Sequence, residues 1–184
     1  MLKTDLSKYN HSEYTPGSNT ITRFLWYFVN VLFFVNPLNP WSTLKVTLLR
    51  LFGAKIGKGV VIKPSVNIKY PWRLTIGNHV WIGENVWIDN LDKVVIGDNC
   101  CLSQGVMLQT ASHDSSRQYF NIQTAPIILE EGVWIGTRAL VCMGVVAKSH
   151  AVLAANSVSV KDMEAYSIYY GKPATKGKER VITN

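Results

Sequence analysis

The chain has 184 residues, with 19 Lys and Arg against 12 Asp and Glu, a formal net charge of +7, and 47% apolar residues. The length suits one domain, or one domain with a small appendage, and the apolar content excludes a disordered chain. The positive excess points to an anionic partner, but no nucleic-acid-binding module is recognisable, so nucleic acid is not expected as that partner.

Cys100, Cys101 and Cys142 are odd in number and two are adjacent. This argues against a disulfide framework, fits a reducing compartment and offers no zinc-type spacing, so no metal is expected. No secretory signal is evident, and a cytoplasmic location is expected.

Residues 1–20 read as an irregular arm, with turn chemistry at Tyr14-Thr-Pro-Gly-Ser-Asn19. The stretch Phe24 to Val35 is aromatic and nearly uncharged, but shorter than the about 20 apolar residues a bilayer span needs. Asn36-Pro37 and Asn39-Pro40 stop it. Helices are predicted over 21–35 and 41–52, the second closed by Gly53. The first lacks the Lys- and Arg-rich polar face of an interfacial helix, so packing on the body or on a neighbouring subunit is the favoured reading. A peripheral membrane contact through residues 21–35, at the inner face of the membrane, is the second.

From Ile56 the pattern changes to a six-residue beat. Aliphatic residues recur at Ile56, Ile62, Ile68, Ile76, Ile82, Ile88, Ile96, Leu102 and Leu108. After one break the beat resumes at Leu129, Ile135, Val141, Ala147 and Leu153. Four residues after each beat stands a small or β-branched residue, including Val60, Val80, Cys100, Val106, Ser112, Val133 and Ser157. Two inward positions per hexad define an all-β solenoid, a parallel β-helix. The expected organisation is an N-terminal arm and helices over 1–55, the solenoid over 56–166 with a loop at 113–128, and an irregular or short helical tail over 167–184. The tail cations Lys172, Lys176, Lys178 and Arg180 have a solvated chain end as their plain reading.

Three hexads make one triangular coil. The beat is two residues late at Ile76 and again at Ile96, and much later at Leu129. All three delays follow a third hexad, so all leave from one corner. An insertion at one edge of a solenoid is commonly its binding face. The residue before each beat points outward. Trp81, Trp87 and Trp134 stand there, and burial between subunits or under a ligand is expected for them. A three-sided prism suits a closed cyclic trimer. His113 shares this outward phase at the root of the longest insertion.

The Ile-Gly-x-x-Val-Trp hexads, Ser112-His113-Asp114, Gly132-Val-Trp-Ile-Gly-Thr137, Ala154-Ala-Asn-Ser-Val-Ser-Val-Lys161-Asp162 and Tyr170-Gly-Lys-Pro-Ala174 resemble the hexapeptide-repeat acyltransferases. Tyr9-Asn-His-Ser-Glu-Tyr-Thr-Pro-Gly17, Asn36-Pro-Leu-Asn-Pro40, Ile62-Lys-Pro, Ile68-Lys-Tyr-Pro-Trp-Arg73 and Trp87-Ile-Asp-Asn-Leu91 sharpen this to the colanic-acid-biosynthesis type of acetyltransferase. The resemblance covers nearly the whole chain. It implies a left-handed parallel β-helix, a homotrimer, and acetyl-CoA bound between adjacent subunits. It implies O-acetylation of a sugar or oligosaccharide acceptor from exopolysaccharide or surface polysaccharide biosynthesis.

Carried over residue by residue, the resemblance makes His113 the general base of a direct attack on the thioester, with the backbone N–H of Thr137 meeting the oxyanion. Gly136, Thr137, Ala154, Ala155, Lys161 and Lys172 are the cofactor-binding candidates, and the tail cations are suited to its phosphates. Asn85, Asp89 and Asp114 are acceptor candidates; Asp114 or a backbone carbonyl is left to orient the imidazole. The acceptor-binding asparagine of related enzymes falls on Gly83 here. Leu153-Ala-Ala-Asn-Ser and Val160 also depart from the common pattern. The alternatives are an acetyltransferase for an antibiotic or amino sugar, a γ-type carbonic anhydrase, and a non-catalytic β-helix. The second needs three converging histidines, and His79, His113 and His150 lack the spacing.

Overall fold

A computed structural model describes residues 2–9 and 14–183; His11 and part of the arm motif lie outside them. Residues 55–159 form a triangular solenoid of parallel strands two or three residues long. The first face stacks Lys55–Ile56, Leu74–Ile76, Val94–Ile96, Ile127–Leu129 and Val146–Ala147. The second stacks Val61–Ile62, Trp81–Ile82, Cys101–Leu102, Trp134–Ile135 and Val152–Leu153, and the third Asn67–Ile68, Trp87–Asp89, Met107–Gln109, Leu140–Cys142 and Val158–Ser159.

The six-residue beat builds this because side chains alternate along a strand, so one residue of each pair faces the axis. The register places beat on beat: Ile62 opposite Ile82, Ile82 opposite Leu102, Leu102 opposite Ile135, and Ile135 opposite Leu153. From Ile62 to Leu153 every beat residue is buried, each isoleucine or leucine contributing about 1.5–3 kcal/mol. Tyr169 closes the stack over Leu153, and Met163 bridges to Ala147. Of the second inward set, Val60, Val80, Cys100, Val106, Val133 and Ser157 are buried as expected. Ser112 is not: the chain has already left the coil there, and Ser112 is exposed.

Two corners are made by residues in the left-handed region. Gly59, His79, Asn99, Gly132 and His150 form one column, and Ser65, Asn85, Gly105, Arg138 and Asn156 the next, all with φ between 56° and 69°. Asparagine and glycine enter this region at low steric cost. Coils stack closely beside these turns. A Cβ on Gly83 would lie 2.8 Å from the Gln104 amide nitrogen, and one on Gly136 would lie 2.6 Å from that of Ala155.

The third corner carries the late beats. Tyr70 N–H donates to Asn90 Oδ1 (2.9 Å), and Asn90 Nδ2 donates to the Tyr70 carbonyl (2.6 Å), stitching the first two insertions. The third insertion begins at Thr110, earlier than the expected 113–128 loop. It folds as an antiparallel hairpin, Ala111–His113 against Ile122–Thr124. Ala125 N–H donates to the Thr110 carbonyl at its root (3.0 Å).

Before the solenoid, α1 (Thr20–Val29) is capped by Asn19, whose Oδ1 accepts from Thr22 N–H at 2.8 Å, and runs into a π-helical turn, Asn30–Val35. Trp26 Nε1 donates to the Ile68 carbonyl (2.9 Å) and Asn30 Nδ2 to Asn67 Oδ1 (2.8 Å). Only Trp26, Asn30 and Phe34 of this segment are buried, so body packing covers one stripe and leaves the rest bare. The helix α2 (Ser42–Leu51) lies on the first coil. Its buried Lys45 donates Nζ to the Lys63 carbonyl (2.8 Å), and burial holds the amine below its ordinary value.

The tail expectation is corrected. Ser167–Gly171 and Ala174–Glu179 form a hairpin, and the first strand joins the second face beside Val152–Leu153. No helix among the described residues is long and apolar enough to cross a membrane.

Candidate active site

The hairpin presents His113 exposed at the corner between the third and first faces. Its Nδ1 lies 2.7 Å from the Phe120 carbonyl oxygen. A carbonyl only accepts, so Nδ1 is the donor, and in the neutral ring the lone pair lies on Nε2. The Phe120 ring lies 5.9 Å from the imidazole, and the Tyr9 ring meets it edge-on at 5.7 Å. The arm is held there by Asp5 N–H, which donates to the Gln118 carbonyl (2.9 Å), and by Lys8 over the Tyr119 ring.

Asp114 is bonded within its own loop. Its Oδ1 accepts from Ser116 N–H (2.9 Å) and Oγ (2.6 Å), and Arg117 Nε stands 3.7 Å from its other oxygen. The Ser116 hydrogen bonds hold its carboxyl below the ordinary aspartate value, helped by Arg117. Of the two partners left open by sequence, a backbone carbonyl orients the imidazole. Asp89 sits at the hairpin's root: its carbonyl accepts from Thr110 N–H (3.2 Å) and Oγ1 (3.0 Å), and its carboxylate pairs with Lys69 at 3.3 Å. Asn85 lies at another corner, in a shallow groove with Gln104, Thr137 and Asn156.

Gly136, Thr137, Ala154 and Ala155 share a groove of about 510 Å³ on the second face, with Trp134, Tyr170, Lys178 and Arg180. Gly136 and Ala154 are tied into the coil stack, Gly136 N–H donating to the Leu153 carbonyl (2.7 Å) and Ala154 N–H to that of Tyr169 (2.9 Å). Arg180 is fixed by donating to the Gly132 (2.8 Å) and His150 (3.0 Å) carbonyls. Lys176 is occupied by Glu164 and Glu179, both at 2.7 Å. Lys172 donates to Asn156 Oδ1 (3.2 Å), and the Lys161 carbonyl accepts from Ser159 Oγ (2.8 Å); neither lysine lines the groove. Tyr170 enters the sequence reading only as part of a family motif, and neither it nor Phe120 is marked by the beat as a site residue.

His113 and Thr137 stand on different edges of one prism. His113 follows the third-face strand Met107–Gln109, and Thr137 sits between second-face Trp134–Ile135 and third-face Leu140–Cys142. His79 and His150 occupy the corner after the first face, where the His150 ring stacks on Tyr166 at 4.7 Å. Within one chain the three histidines therefore do not converge.

A family model described as the hexapeptide repeat of succinyl-transferase matches residues 73–109. The chain is 39% identical over 179 residues to the protein named as colanic acid biosynthesis acetyltransferase WcaF of Escherichia coli (strain K12), covering 97% of this chain and 98% of that one. A hexapeptide-repeat acetyltransferase from Vibrio cholerae superposes with a TM-score of 0.79 at 25% identity, over 89% of this chain and 94% of that one. A maltose O-acetyltransferase from Clostridium difficile 630 superposes with a TM-score of 0.76 at 21% identity, over 99% of this chain and 100% of that one. The architecture is the parallel β-helix of an acyltransferase. This chain belongs to the hexapeptide-repeat acetyltransferases, of the colanic acid biosynthesis type.

Proposed function

We propose that this enzyme transfers an acetyl group from acetyl-CoA to a hydroxyl of a sugar unit destined for exopolysaccharide or surface polysaccharide, by direct attack. The observation that carries the reading is the His113–Phe120 hydrogen bond, which in the neutral ring directs the lone pair to Nε2 on an exposed, oriented imidazole. His113 Nε2 takes the acceptor's hydroxyl proton as its oxygen bonds to the thioester carbonyl carbon. The Thr137 backbone N–H donates to the resulting oxyanion. As the carbon–sulfur bond breaks, His113 returns its proton to the departing thiolate, giving the ester and free CoA. General-base assistance of this kind contributes about 10²–10⁴ in rate. One oxyanion donor is worth about 3 kcal/mol.

Gly136, Ala154 and Ala155 let an extended pantetheine chain lie against backbone, and Lys178 and Arg180 supply cations for its phosphates. Lys161 and Lys172 sit farther out and would meet only the nucleotide end. Asp89, at the hairpin root, is the better-situated acceptor contact; Asn85 belongs to the groove side, and Asp114 serves the loop. The separation of His113 from Thr137 supports a homotrimer, with the hairpin of one copy over the groove of the next. Exposed Trp81, Trp87 and Trp134 support the same assembly. The bare apolar side of residues 21–35 supports peripheral contact with the inner face of a membrane, and acetyl-CoA supply fits the cytoplasm. The test is acetyl-CoA turnover with a panel of nucleotide sugars and lipid-linked oligosaccharides, comparing the unaltered chain with His113→Ala. Transfer unaffected by the substitution overturns the mechanism.

A further inference from the structure

The N-terminal arm touches all three insertions of the third corner. At its root, Trp72 Nε1 of the first insertion donates to the Pro16 carbonyl (2.7 Å), and Arg73 donates to the Thr15 carbonyl. Tyr14 OH donates to the Leu91 carbonyl of the second insertion (3.0 Å), and Arg73 lies over the Tyr14 ring at 5.4 Å. Farther out, Asp5 N–H donates to the Gln118 carbonyl of the third insertion (2.9 Å), and Lys8 Nζ stands 5.9 Å from the centre of the Tyr119 ring. The arm thereby brings Tyr9 beside His113 from the far end of the sequence.

This end of the arm does little for the core. The turn Leu6–Lys8 holds no buried side chain, and Leu2 and Leu6 are 86% and 62% exposed, against 36% for Tyr9. Ordering backbone costs about 1–2 kcal/mol per residue, and exposed side chains return little of it through burial. A chain end of this kind frays unless something ties it down. Its ties lead to the hairpin that carries His113, so its task is local to that hairpin. The imidazole there needs a second constraint. The Phe120 carbonyl holds Nδ1 at 2.7 Å, which fixes one ring atom and leaves the ring to swing about that contact. The Phe120 ring lies 5.9 Å away at 36° to the imidazole, and the Tyr9 ring lies 5.7 Å away at 65°. Two rings set at different angles define the imidazole plane, and both separations fall in the range of favourable aromatic contacts.

We propose that Tyr9 is a positioning residue for acetyl transfer, its ring holding the His113 imidazole in the plane that aims Nε2 at the acceptor hydroxyl. The arm is then part of the active site, tied at its root to the first two insertions and at its tip to the third. The contact uses the aromatic ring, so phenylalanine serves in place of tyrosine and alanine does not. The consequence for catalysis rests on the reading of His113 as general base; the constraint on the ring does not.

Nitrogen-15 NMR of the full chain labelled at its four histidines reads the ring directly and needs no acceptor. His113→Ala identifies the His113 signals. At a pH where the ring is neutral, the unaltered chain is expected to show His113 as the Nδ1-protonated tautomer. Tyr9→Ala should average the two tautomers, and Tyr9→Phe should keep the single one; Tyr9→Leu replaces Tyr9→Ala if the latter lowers the melting temperature. Acetyl-CoA turnover is measured alongside, with the sugar of the panel that gives the highest rate. Tyr9→Ala should lower kcat by about 10- to 100-fold at unchanged KM for acetyl-CoA, and Tyr9→Phe should recover most of it. In a His113→Ala chain, adding Tyr9→Ala should lower the residual rate by less than about twofold, since an effect passed through His113 has nothing left to act on. A single tautomer kept in Tyr9→Ala overturns the proposal. An equal loss of rate in both backgrounds also overturns it, in favour of a purely structural arm, and so does a loss that vanishes at higher protein concentration, in favour of a subunit contact. Full activity of His113→Ala sinks the catalytic reading, and the tautomer measurement then decides the ring contact by itself.

Discussion

The imidazole of His113 is fixed by the carbonyl of Phe120, seven residues away across the hairpin, at 2.7 Å. The chain supplies the orienting acceptor from backbone, so no carboxylate is needed to select the tautomer. Asp114, the obvious neighbour in sequence, is instead committed to Ser116 and Arg117. His113→Ala should lower kcat by about 10²–10⁴ while leaving the KM for acetyl-CoA nearly unchanged. Asp114→Ala should leave kcat close to that of the unaltered enzyme, as steady-state kinetics on the two variants will show.

Gly136 is where the groove and the coil stack constrain the same atom. An alanine Cβ there would meet the Ala155 amide nitrogen at 2.6 Å, and backbone cannot move aside easily. Gly136→Ala is expected to destabilise the fold by about 1–3 kcal/mol and to raise the KM for acetyl-CoA. Chemical denaturation and initial rates test the two parts separately.

The axial stack predicts a steep cost for truncation. Leu102 is buried between Ile82 and Ile135 on one face. Leu102→Ala should cost about 2–5 kcal/mol in unfolding free energy, since the flanking coils cannot collapse into the gap. Trp81→Ser, on the outward side of the same face, should leave unfolding of the isolated chain little changed and weaken subunit association, measurable by sedimentation.

Asp98 gives the acid behaviour a definite sign. Its carboxylate accepts from Asn78 N–H (2.7 Å) and Nδ2 (3.1 Å), which holds its folded-state value below that of an ordinary aspartate. The unfolded chain therefore binds this proton first as pH falls. The stabilisation is present above the ordinary aspartate value and is lost as pH drops toward the folded one. Thermal melts should show a shallower loss of stability below about pH 4 for Asp98→Asn than for the unaltered chain.

The solenoid was legible because inward side chains must repeat once per strand, and the late beats after Ile68, Ile88 and Leu108 marked one corner without any structure. Legibility failed where the chain leaves that rule. Ser112 keeps the phase of an inward residue after the backbone has turned into the hairpin. Ser167–Gly171 extends the second face with no beat, and its partner Ala174–Glu179 is charged and exposed, so neither carries a periodic signal. Phe120 is invisible as an orienting group because a backbone carbonyl has no residue-type signature. Asn85 is an acceptor candidate in sequence because it lies two residues after Gly83, where the resemblance puts the acceptor asparagine; its left-handed turn sets it at the corner between the second and third faces, away from Asp89.

The central claim is that His113 of one copy works over the Thr137 groove of another. Co-assembly of two inactive chains tests it most directly: His113→Ala, which keeps the groove, with Ala155→Trp, which fills it. Each alone should transfer acetyl groups at no more than about a hundredth of the unaltered rate. Refolded together from an equal mixture, they should regain on the order of a quarter of the unaltered activity, because random assembly pairs an intact hairpin with an intact groove at that frequency. Mixed assemblies that form, as shown by differential tagging, yet stay as inactive as either parent would contradict it.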